Sequence, residues 1–173
     1  MAAPELHIDV ALQRLDMVVD GAVERSYAIS TALNGVGEVQ GSGCTPRGLH
    51  RIKAKVGAGC APGTVFVGRR ATGEVYSPAL AAQHPGRDWI LSRILWLTGC
   101  EPSVNRGGAV DTLRRYIYLH GCPDGLPMGV PASHGCVRMT NADVIDLFDR
   151  VAVGTWVHID GAPAPSPRKG AAP

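Results

Sequence analysis

Three side chains with acid–base or nucleophilic chemistry converge on one short stretch of the sequence. They are Cys136, His134 two positions before it, and His120 at the end of a Tyr- and Ile-rich run. A free thiol has a pKa of about 8.5 and is only a few per cent thiolate at neutral pH, so a nucleophilic cysteine needs a nearby imidazole or dipole to favour the anion. His120 can be that partner if the Pro/Gly-rich segment between it and Ser133 folds back, which would make Cys136 the most readily alkylated thiol. Gly135 leaves two geometries open. An extended segment puts His134 and Cys136 on one face, whereas a tight turn aims backbone N–H groups inward. Such donors are what a tetrahedral oxyanion requires, so an oxyanion hole is expected around Gly135 and Cys136.

Each of these residues also has an ordinary structural reading. An unpaired cysteine is commonly a small buried hydrophobe, His120 could be a strand-end histidine tied to backbone, and His134 could simply bond its own loop. Arg138 suits a substrate carboxylate, which a guanidinium grips with two parallel bonds, or equally a structural ion pair, for instance with Asp143. Ser133 could donate to a catalytic imidazole or close a local turn. Tyr118, two positions before His120, could line the cleft or sit in the core with its hydroxyl tethered. Asn105, Arg106, Gly107 and Gly108 form a loop ahead of the His120 strand, which makes Arg106 a positional candidate for substrate contact. No Cys-x-x-Cys or His-x-x-x-His spacing is present. Neither a metal nor a cofactor is therefore expected, and Cys122 is not read as a ligand beside His120 and His134.

The elements that must hold this constellation follow from the 173-residue sequence, a length that suits one domain with its own core. Residues 1–160 are read as that domain. Residues 161–173, rich in Pro and Ala, are read as a disordered tail. Alternating apolar and β-branched residues predict an N-terminal hairpin over 6–12, 17–19 and 23–30, with Asp20-Gly21 as a turn. A Gly-rich loop at 34–48 precedes a strand at 49–56. A second hairpin is predicted from 64–68 and 74–77 around Ala71-Thr72-Gly73. The apolar run 89–97 is read as a strand, 115–119 as the strand that ends on His120, and 155–159 as a last strand. The clearest helix is 141–150, with Thr140 as N-cap and Val144, Leu147, Phe148 and Val151 on one face.

Composition excludes several function classes. Net charge is +2 and the basic residues are scattered, so neither nucleic acid nor a membrane surface is expected as a partner. No apolar run is long enough to span a bilayer. Glu5, Asp9, Arg14, Asp16 and Asp20 interrupt any export signal. Five cysteines without regular spacing suit free thiols in a reducing compartment, so the expected location is the cytoplasm, or the periplasm if a leader has been removed. A monomer is expected.

The pair His120-Gly121 and Ser133-His134-Gly135-Cys136-Val137-Arg138 resembles the active-site signature of the YkuD-type L,D-transpeptidase family. Thr45-Pro46-Arg47-Gly48 resembles that family's Thr-Pro-x-Gly turn, and residues 12–30 its opening hairpin, so the resemblance covers roughly residues 6–160. It implies a mostly β fold, a YkuD-like sandwich or barrel with one short helix after the catalytic cysteine. It further implies Cys136 as nucleophile, His120 as its base, the Gly121 carbonyl as the group orienting that imidazole, and His134 as local support. Two departures stand out: the interval from His120 to Ser133 is shorter than in many members, and Arg138 replaces an Asn.

The activity so implied is attack by Cys136 on the carbonyl of a diaminopimelate or Lys residue in a peptidoglycan-derived tetrapeptide, with loss of the terminal D-Ala and formation of a thioester. Hydrolysis of that thioester would make the protein an L,D-carboxypeptidase of cell-wall recycling. Capture by an amine would make it an L,D-transpeptidase forming 3-3 cross-links. A non-catalytic muropeptide-binding module is the remote alternative. The expectation of a cytoplasmic location favours the carboxypeptidase, since recycled muropeptides lie inside the cell and polymerised wall outside it.

Overall fold

The computed structural model describes residues 2–161, so the tail expected over 161–173 lies, but for Gly161, outside the described residues. Strands β1 (Glu5–Asp9), β2 (Arg14–Val19) and β3 (Ala22–Ala28) form the opening meander. Asp20 and Gly21 supply the two positive φ angles, 50° and 75°, that a two-residue hairpin turn needs. Leu6 and Ile8 face Met17 and Leu15 across the β1–β2 ladder, and all four are buried. After the expected loop come β4 (Gly48–Val56), β5 (Thr64–Val67), β6 (Arg70–Val75), a short helix α1 (Pro78–Gln83) and β7 (Ile90–Gly99). The chain closes with β8 (Tyr118–Gly121), β9 (Val137–Met139), α2 (Asn141–Arg150) and β10 (Trp156–Asp160).

The strands make one ten-stranded sheet in the order β3-β2-β1-β10-β4-β7-β5-β6, with β8 leaving the path at β7 and carrying β9. The expected mostly β architecture with a single main helix after the cysteine is therefore the observed one. β10 returns to lie parallel to β1, so the two ends of the domain are hydrogen-bonded neighbours. β7 is the branch point. Its first residues pair with β5 and its later ones with β4, and a register break between Leu91 and Ile94 bends it where β8 joins.

Helix α2 is built as its sequence dictates. Thr140 Oγ1 accepts the Asp143 N–H at 3.2 Å, and Val144, Leu147 and Phe148 are buried in the main core beside Leu95 and Leu119. At its other end Lys55 Nζ donates to the Phe148 and Val151 carbonyls, both at 2.7 Å, where the helix dipole is negative.

Four expectations need correction. The second hairpin turns at Gly68-Arg69 (φ 55° and 63°), so Ala71-Thr72-Gly73 lies inside β6. The residues read as a strand at 74–77 end with Ser77, which caps α1 by accepting the Leu80 N–H, and Pro78 sits in the first turn where its missing N–H costs nothing. The His120 strand begins only at Tyr118, two residues after Tyr116 turns the chain with a positive φ of 55°. β9 was not anticipated, being three residues long.

Candidate active site

Parallel pairing of β8 with β9 sets Leu119 opposite Val137 and His120 opposite Arg138. Cys136, one step before β9, therefore lies across from Tyr118. Tyr118 and His120 share a face of β8. The order of these short strands thus brings the expected thiol and imidazole to one cleft of about 400 Å³, whose lining also includes Tyr118, Ser133, His134 and Arg138.

The chain from Ser133 to Cys136 is a turn, not an extended segment. Ser133 closes it: its hydroxyl donates to the Cys136 carbonyl at 2.5 Å and accepts the Gly135 N–H at 3.3 Å. Gly135 has φ 134°, which favours glycine, and a Cβ there would also crowd the Cys44 carbonyl and Ile117 Cδ1, each at 3.2 Å. Thr45 bolts the turn from outside, its buried hydroxyl donating to the Gly135 carbonyl at 2.9 Å while accepting the Ala32 N–H at 3.0 Å. Since the Gly135 N–H is turned towards Ser133, the Cys136 N–H, like that of His134, is left without an internal partner among the described residues.

His120 is buried at the cleft floor, and its Nδ1 lies 2.7 Å from the Gly121 carbonyl. A carbonyl can only accept, so Nδ1 carries the proton and Nε2 keeps the basic lone pair. Burial pulls the His120 pKa below its ordinary value, against the smaller upward pull of that carbonyl, and the ring is neutral at pH 7. The Cys136 sulfur accepts the Tyr118 N–H at 3.3 Å and donates to the Tyr116 carbonyl at 3.4 Å. Burial pushes this thiol up to about 11, opposed by the Tyr118 N–H and by Arg138 and Arg115. Both displacements favour the uncharged forms, a thiol and a neutral imidazole, over a standing thiolate–imidazolium pair.

His134 is exposed on the rim of the cleft and makes no side-chain hydrogen bond among those described. Arg138 pairs with Asp88 at 3.3 Å and not with Asp143, yet still borders the cleft. Tyr118 is buried, with its hydroxyl accepting from Arg69 at 3.0 Å. Arg106 is exposed and does not line the cleft, and its neighbour Asn105 is buried scaffolding, tying Glu101, Arg47 and Leu49 together. Cys122 is buried with its thiol directed at the Met139 carbonyl.

Sequence reasoning missed three cleft residues. Arg69, from the β5–β6 turn, lies over Trp96 and Tyr116 with its guanidinium 4.6 and 5.0 Å from the ring centres. Arg115 donates to the Gly37 and Cys44 carbonyls at 3.1 and 2.6 Å. Asp88 completes the wall. None belongs to a local motif. Only the positive φ at Gly68-Arg69, unreadable behind the competing Thr72-Gly73 signal, places Arg69 there.

Residues 3–159 match the family model YkuD, the L,D-transpeptidase catalytic domain, so the chain belongs to this family. Among curated relatives, "Probable L,D-transpeptidase YbiS" of Escherichia coli K12 is 41% identical over 49 residues, 28% of this chain and 16% of the relative. "Probable L,D-transpeptidase ErfK/SrfK" of Salmonella typhimurium matches at the same identity and coverage. The chain thus spans about a sixth of the length of these curated relatives. Similar solved folds include an L,D-transpeptidase of Xylanimonas cellulosilytica, with TM-score 0.54 and 22% identity over 92% of this chain and 61% of that one. L,D-transpeptidase 3 of Mycobacterium tuberculosis aligns with TM-score 0.57 and 15% identity, covering 92% and 61%.

Proposed function

We propose that the protein transfers the acyl group of a tetrapeptide stem of peptidoglycan through a thioester on Cys136, releasing D-Ala. The observation that carries this reading is the tautomer of His120: its Nδ1–H is committed to the Gly121 carbonyl, so Nε2 is free to take a proton. In the proposed reaction the Cys136 sulfur attacks the carbonyl carbon of the third stem residue as its proton passes to His120. The Cys136 N–H supports the oxyanion. Collapse breaks the C–N bond, the imidazolium protonates the departing amine of D-Ala, and the acyl group stays on sulfur. His134 at the rim is placed to meet substrate at the cleft mouth, and Arg69, Arg115 and Arg138 supply positive charge for the stem's carboxylates.

Water as acceptor then gives a tripeptide and a free thiol, the L,D-carboxypeptidase reaction, and needs only the groups named. This activity on recycled fragments belongs in the cytoplasm. A second reading, 3-3 cross-linking by an amine acceptor, is favoured by a second cavity of about 330 Å³ that shares Asp88 and Arg138 with the cleft and is lined further by Tyr76, Trp89 and Leu126, a place for an acceptor. It accords with the names of the curated relatives and would act on wall outside the cytoplasm. Among the described residues no helix is long and apolar enough to cross a membrane.

Incubation with a disaccharide tetrapeptide, followed by mass, tests both. Loss of D-Ala alone supports hydrolysis and a dimeric product supports cross-linking, each abolished in Cys136→Ala. Binding without turnover, unchanged in Cys136→Ala, would leave only a muropeptide-binding module and overturn the proposal.

A further inference from the structure

The parallel β1–β10 ladder does something the sequence spacing cannot reveal, because it joins residues from opposite ends of the domain. His7 is registered directly against His158, and Glu5 lies two positions before His7 on the same face. Glu5 Oε2 is 3.5 Å from His7 Nε2 and 3.6 Å from His158 Nε2, and the two rings stand 4.9 Å apart centre to centre. All three potential ligand atoms lie within 4.8 Å of one another. Two nitrogen or oxygen donors at about 2.0–2.1 Å from a tetrahedral ion are themselves about 3.3–3.4 Å apart. The two Glu5–His separations are therefore already close to tetrahedral edges, and only the two imidazoles need to draw together.

We infer that Glu5, His7 and His158 form a surface binding site for a single Zn²⁺ or a similar borderline divalent ion, which clamps β1 to β10. Donor chemistry selects the ion: two imidazoles and one carboxylate suit zinc and its neighbours rather than magnesium or calcium, which prefer all-oxygen shells. Three donors leave the fourth position to water. The strands hold the Cα positions rigidly, so binding requires rotamer adjustment alone. Asp16, opposite His7 on β2, is not a fourth ligand, because it is engaged by Arg14 and Ser26. The cluster is outside the cleft of Cys136, and it neither needs nor alters the proposed chemistry there.

The test is equilibrium dialysis of the full chain against ZnCl₂, after alkylation with iodoacetamide so that accessible thiols do not compete, together with thermal unfolding with and without the ion. One equivalent of Zn²⁺ should bind, and the unfolding midpoint should rise on its addition. His7→Ala and His158→Ala should each weaken binding by at least about tenfold and abolish the metal-induced rise, while leaving the metal-free midpoint close to that of the parent. Both histidines are partly exposed, so the variants should fold. Absence of binding at a large molar excess of ion, or equal binding by parent and both variants, would overturn the inference.

Discussion

Replacing Thr45 with Val keeps the shape of the side chain and removes one hydroxyl, which lets the hold on the turn before Cys136 be weighed. That hydroxyl is fully buried and satisfies two backbone groups at once, the Ala32 N–H at 3.0 Å and the Gly135 carbonyl at 2.9 Å. A buried polar group left without its partner costs about 1–3 kcal/mol. Two such groups sum to about 2–6 kcal/mol, and the carbonyl, with its second lone pair, falls at the low end, so about 3 kcal/mol is expected. For a domain of this size each kcal/mol lowers the unfolding midpoint by about 2–4 °C, so Thr45→Val should unfold about 6–12 °C earlier. The kinetic effect should be larger in proportion. The released carbonyl belongs to the residue before Cys136, and a displacement of about 1 Å at a reacting atom can cost roughly a hundredfold in rate. The assay is urea unfolding alongside single-turnover acylation by a tetrapeptide stem, followed by intact mass well below the midpoint. Thr45→Ser, which keeps the hydroxyl, should recover most of the rate. A Thr45→Val protein with parental stability and acylation rate, or a Ser variant as slow as Val, would refute the claim that this hydroxyl positions the nucleophile.

Two further outcomes follow from the site. Because the His120 pKa is lowered, the imidazole stays neutral and competent below its ordinary value of about 6.5, so the acid limb of kcat/KM should lie below that value, while alkylation of Cys136 should keep accelerating as pH rises towards about 11; labelling that levels off near neutrality would show a preformed thiolate instead. Gly121→Ala places a Cβ 2.6 Å from both the Leu91 carbonyl and Asn141 Oδ1, so it should destabilise the domain by about 1–3 kcal/mol and disturb the carbonyl that orients His120, seen as a lower midpoint in thermal unfolding together with slower acylation.

What could be read from the sequence was whatever is local. Asp20-Gly21 announces its turn because two adjacent residues tolerant of positive φ flank alternating strands. The helix after Cys136 announces itself through Thr140 and one apolar face. At Ser133 and Gly135 the sequence admitted a turn but left an extended segment equally open. Non-local placement was not legible. Arg115 and Tyr116 have the composition of a strand, and nothing in it reveals that Tyr116 turns its backbone so that its carbonyl receives the Cys136 thiol. Arg138 offered Asp143 as a partner in sequence, but β9 faces β8 and the ion pair forms with Asp88, fifty positions away. Arg69 reaches the cleft only because the β5–β6 turn falls at Gly68-Arg69, four positions before the Thr72-Gly73 signal.

The opposite displacements of the two key pKa values have one physical origin, since burial disfavours the charged form of each group. This changes what activation means at this site. A standing thiolate would be more exposed to oxidation and adventitious alkylation, because the anion is the reactive form. In the proposed reaction a neutral thiol and a neutral base would make the nucleophile only as its proton leaves, when a carbonyl is in place to accept the electron pair. The same surroundings that disfavour charge at rest also strengthen each fixed dipole aimed at the oxyanion, so the Cys136 N–H gains the most where charge finally develops. Under that proposal, selectivity for a bound acyl donor would follow from burial, and exposing the thiol should raise its background reactivity while slowing the productive step.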